Sequence, residues 1–145
     1  MSRALDVRTL RRLILGLLVV GLLGLATDLV ALAHYEDPWQ VVPLVVIGVA
    51  LLTVVWHVSD RSLASVRALQ MVMLFMLLTG GIGFVLHYQS NREFQLEMDA
   101  TLSHWAVFSK AIRAHAPPAL APLSMSLIGL IGLVYTFRYE EQRND

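Results

Sequence analysis

At 145 residues, 57% hydrophobic and only 15% charged, the chain is too apolar for an ordinary soluble domain, where roughly a quarter of residues are charged. A formal net charge of zero, with no basic recognition motif, gives no footprint for nucleic acid as a partner. Cysteine is absent, which excludes a disulfide framework, an iron–sulfur cluster and thiol-based redox chemistry.

Arg3, Arg8, Arg11 and Arg12 precede a run from Leu13 to Ala33 whose one charge is Asp28. A helix needs about 20 mostly apolar residues to cross a bilayer, so a first span is predicted over about 12–34. Ala31-Leu32-Ala33 has the form of a signal-peptidase site. The apolar stretch is longer than a usual signal core and Asp28 interrupts it, so an uncleaved helix is expected.

Asp28 is the one ionisable residue expected well inside a span, where a carboxylate costs about 2.5–3.5 kcal/mol near the bilayer centre. It shares a helical face with Gly21, Gly24, Ala31 and Tyr35. Small residues allow close helix approach. The expected packing buries Asp28 against the glycines, with Thr79 or a serine as partner, as a polar clamp. The functional alternative is a proton or cation relay in a small transporter or channel.

The first span closes on His34-Tyr35, and Pro43 is expected to open a second over about 41–58. A third, over about 62–88, carries Gly80 and Gly83 and closes on His87-Tyr88. Met71, Met73 and Met76 within it read as lipid-facing or core residues. The fourth is expected over about 119–138, with Pro122 at its start. His34-Tyr35 aligns with His87-Tyr88, and Pro43-Leu44 with Pro122-Leu123, which suggests a duplicated hairpin. Any two apolar hairpins share such hydropathy, and the helix count does not depend on it.

Between the third and fourth spans, Phe94, Met98, Leu102, Trp105, Phe108 and Ile112 recur at steps of three and four. That spacing predicts an amphipathic helix over about 91–115, lying on the outer leaflet or roofing the bundle. Ser90 and Glu93 resemble a capping box, Asp99 marks a break, and Pro117-Pro118 a stop. The expected fold is therefore all-α. It is a four-helix transmembrane bundle of two in-out-in hairpins with an extra outer amphipathic helix, forming one integral membrane domain.

Basic residues near span ends set orientation. With both termini cytoplasmic, Arg3, Arg8, Arg11, Arg12, Arg61, Arg67, Arg138 and Arg143 lie inside, against Arg92, Lys110 and Arg113 outside. A bacterial cytoplasmic membrane is the expected location. His34, His87, His104 and His115 then face outward with Glu36, Asp37, Glu93, Glu97 and Asp99. Imidazole and carboxylate suit a divalent metal, which His34, His87, Glu93, Glu97 and His104 would hold, although no His-Glu-x-x-His spacing occurs. His34 and His87, at matching ends of two helices, are alternatively axial ligands for a haem. With no nucleophile–base pair and no phosphate loop, the leading expectation is a non-enzymatic membrane protein. It would be a subunit or accessory partner of a larger membrane assembly, or a homo-oligomer.

Overall fold

The computed structural model describes residues 6–137. Within them the chain is all-helical, with α1 (Val7–Ala31), α2 (Pro38–Asp60), α3 (Leu63–Met98), α4 (His104–Ile112) and α5 (Leu123–Thr136). The first three are long and apolar enough to cross a membrane, whereas α5 is apolar but has 14 residues. The predicted end of the fourth span, and Arg3, Arg138 and Arg143 of the orientation argument, lie outside the described residues.

The helix ends differ from expectation for local reasons. α1 stops at Ala31, before the predicted 34. The Ala33 amide bonds the Val30 carbonyl at 3.0 Å and the His34 amide bonds that of Leu29 at 2.9 Å. This is a Schellman termination, and it places Ala33 at φ 51°, a left-handed conformation that glycine adopts more readily. Ala33→Gly should therefore stabilise the protein by about 0.5–1 kcal/mol, read as a higher Tm in detergent. α2 begins at Pro38 because Asp37 caps it, its carboxylate accepting from the Trp39 amide at 2.8 Å. Pro43 thus lies inside α2 instead of opening it.

The largest correction concerns the outer segment. α3 continues for 36 residues through Met98, about 54 Å at 1.5 Å per residue, so residues 91–98 are its extension and not a separate helix. Ser90 and Glu93 are inside α3 and form no capping box. Neither glycine nor proline interrupts residues 84–98; the shift from apolar to polar side chains there changes the surroundings of the helix without breaking it. The break comes at Asp99, whose carboxylate accepts from the Thr101 amide at 2.9 Å and from its hydroxyl at 2.6 Å. Those two bonds hold the Asp99 carboxyl below the usual range, the hydroxyl contributing most. Ser103 then caps α4. The fourth apolar segment also differs: α5 starts at Leu123, and residues 118–122 form successive turns instead.

Contacts run α1–α2, α2–α3, α3–α5 and α5–α1, closing a ring of four in which α3–α5 is the most extensive pairing. α4 stands outside this ring, against α3. The centre is filled by Leu18 and Leu22 of α1, Ile47, Ala50 and Val54 of α2, Leu69, Met73 and Met76 of α3, and Met125 and Ile128 of α5. Outward residues are equally apolar, among them Leu17, Val20, Leu52, Phe75, Leu78 and Leu127. Of the two expected placements, roofing the bundle is not the one seen, since α4 contacts α3 alone among the described helices. α4 turns Val107 and Ala111 inward and leaves Phe94, Met98, Trp105 and Phe108 exposed.

Candidate functional site

Polar side chains gather in two layers at opposite ends of the ring. At the end holding the start of α1, His57 of α2 is buried between α3 and α5. Its Nδ1 lies 3.1 Å from the Ser65 hydroxyl, and its Nε2 lies 3.0 Å from the Tyr135 hydroxyl. Ser65 donates its own proton to the Ser62 carbonyl at 2.8 Å. It therefore accepts from His57 Nδ1–H, which leaves Nε2 to accept from Tyr135. Nearby, the Arg11 guanidinium donates to the Tyr135 and Phe137 carbonyls at 3.1 Å each, satisfying the C-terminal end of α5. Gln70 reaches the Thr136 carbonyl at 3.5 Å. The layer ties all four helices of the ring together. The chain from Tyr135 through His57 and Ser65 reaches the Ser62 backbone carbonyl, an arrangement suited to holding the helices together.

At the opposite end, His34 and His87 meet across the ring, their ring centres 6.3 Å apart and planes inclined by 62°. The termination of α1 delivers His34 here, and the continuous α3 delivers His87. His87 Nδ1 donates to the Pro118 carbonyl at 3.0 Å, which leaves Nε2 with its lone pair. His34 is held below the ordinary imidazole range, chiefly by burial and then by the neighbouring His87. One turn further along α3, buried Asn91 donates from Nδ2 to the Ala111 carbonyl at 3.2 Å and the Pro117 carbonyl at 2.9 Å. Together His87 and Asn91 pin the returning chain against α3.

The five residues considered together for a metal do not converge. Only His34 and His87 meet, while Glu93, Glu97 and His104 are exposed. Among the described residues no group of three or more histidine and acidic side chains is placed to hold an ion. Asp28 is exposed in the last turn of α1 instead of buried as a clamp, and its neighbour Gly24 faces open space. Gly80 packs on Pro122 and on Ser126 of α5, and Gly83 packs on Pro122. Ser126 donates to the Leu77 carbonyl at 2.9 Å, and so serves the α3–α5 contact.

Sequence reasoning missed Asn91, Ser65, Tyr135 and Arg11 as polar partners. Asn91 alone left a signal, its spacing of one helical turn from His87. Compared with known proteins, the chain matches no family model, no curated protein and no solved structure.

Proposed function

We propose that this chain is a small, non-enzymatic integral membrane protein crossing a bacterial cytoplasmic membrane four times, both termini cytoplasmic, as a subunit or accessory partner of a larger assembly. The observation that carries the membrane placement is the spacing of the two polar layers. On α3, Ser65 and His87 stand about 33 Å apart, against a hydrocarbon core of about 30 Å. From Met71 to Leu86 the side chains between them are apolar on outward and inward faces alike, Thr79 excepted. The fourth crossing is the turns of residues 118–122 together with α5, about 31 Å in all at roughly 2 Å and 1.5 Å per residue. Hydrogen bonds from Ala121 to Pro118, Leu123 to Leu120, Ser124 to Ala121 and Met125 to Pro122 pair backbone groups within those turns.

The partner reading is supported by features that the chain leaves uncovered. Exposed Gly24 and Asp28 lie on one side of α1. Rings of Phe84, Tyr88, Phe108 and Trp105 form a ladder, with centres 6.5, 6.0 and 5.5 Å apart in turn, ending at Trp105, 75% exposed. Exposed apolar surface of this kind commonly marks contact with another protein or a membrane interface.

Because the chain has no cysteine, single-cysteine labelling tests the topology directly. With a membrane-impermeant maleimide on intact cells, His104→Cys should react and Ser59→Cys should react only after permeabilisation. Labelling of both positions from the same side would sink the four-crossing arrangement. Purification in mild detergent should yield a second membrane polypeptide or a homo-oligomer, and a monomeric mass would remove the subunit reading.

A further inference from the structure

We propose that His34 and His87 form a two-histidine site for a zinc- or copper-like transition-metal ion at the outer end of the bundle. With metal–nitrogen bonds of about 2.0–2.1 Å, two imidazoles sharing one ion hold their ring centres from roughly 5.2 Å apart at a tetrahedral angle to roughly 6.4 Å at a linear one. The observed 6.3 Å lies within that range. Imidazole is a ligand preferred by zinc, copper and nickel over magnesium or calcium. His87 also carries the support that metal-binding histidines usually have. Its Nδ1–H is fixed on a backbone carbonyl, that of Pro118, so the tautomer presenting an Nε2 lone pair is selected.

The placement of the two ligands also favours an ion. His34 follows the end of α1 and His87 lies on α3, two elements that are not in direct contact in the ring. An ion between them would join the diagonal of the bundle, opposite in position to the His57–Tyr135 bond that joins α2 to α5. Two protein ligands leave coordination positions for water or for a donor from another chain. Neither Glu93, Glu97 nor His104 is required.

The test is calorimetric titration of zinc(II) into the full chain, purified in mild detergent and stripped with EDTA. One ion should bind per chain, with affinity about tenfold or more weaker in His34→Ala and in His87→Ala. The exposed His104→Ala/His115→Ala double variant should bind as the parent does. Because His87 also holds Pro118, its variant is paired with a thermal melt, and His34→Ala decides the matter if His87→Ala is unstable. Unchanged affinity in His34→Ala, or equal loss in the His104/His115 control, would overturn the site. A Soret band in protein made with ample haem, lost in His34→Ala, would replace the free ion by haem iron and overturn it too.

Discussion

Gly129→Ala should destabilise the protein on the order of 3 kcal/mol, lowering its Tm in detergent, whereas Gly24→Ala should leave it nearly unchanged. The difference lies in what a β-carbon would meet. At Gly129 it would stand 2.7 Å from the Met73 carbonyl oxygen and 2.8 Å from the Leu77 amide nitrogen, both backbone atoms that no rotamer change can move. At Gly24 it would meet nothing within 4 Å. α3 and α5 make the most extensive pairing of the ring, and Gly80 on the other side of the seam is equally close to Ser126 and Pro122. In lipid, helices gain little from hydrophobic transfer when they associate, so close van der Waals packing carries the contact. Added bulk at Gly129 therefore removes what holds α5 in place. Equal melting temperatures for the two alanine variants would show that α3 and α5 do not approach this closely.

Asn91→Asp should release the connection between α3 and α5, with a loss of about 2–4 kcal/mol, from two broken hydrogen bonds and carbonyls left facing a carboxylate. The substitution preserves shape and exchanges the two N–H donors of Nδ2 for an acceptor. The Ala111 and Pro117 carbonyls, 3.2 and 2.9 Å away, would then face oxygen. Limited proteolysis should cut the variant faster within residues 99–118 than the parent, and Asn91→Gln should be only partly protected. A parent-like cleavage rate would show that α4 is retained by Val107 and Ala111 without the amide. The same variant bears on the proposed His34–His87 site, because Asn91 and His87 hold the adjacent Pro117 and Pro118 carbonyls.

Much of the helical layout was legible in the sequence. Apolar runs of membrane length, nearly free of charge, locate the three long helices, and Asp99 stands at the break that its bonds to Thr101 produce. His34 and His87 were singled out as a pair, and they meet. The reading failed where one signal had two meanings. The stripe that begins at Phe94 and the Ser90–Glu93 pair predict a new helix from about 91, yet α3 continues through Met98, since both signals are equally at home inside a helix and no breaker intervenes. Pro43 was read as a helix start because proline favours first turns, but Asp37 and Pro38 had already supplied one.

Length and apolarity of each segment are properties of that segment alone, so the chain's order of residues decides them without reference to its neighbours. Which face of a helix is covered is a property of pairs, and only the packed ring decides it. Gly80 and Gly129 are seated against backbone, while Gly24 and Asp28 of α1 remain exposed, although the small-residue face of α1 reads in sequence as a buried seam. The same holds for His57, Ser65 and Tyr135, which come from three helices. Hydrogen bonds reach only about 3 Å, so such a cluster exists only once tertiary packing has brought its members together.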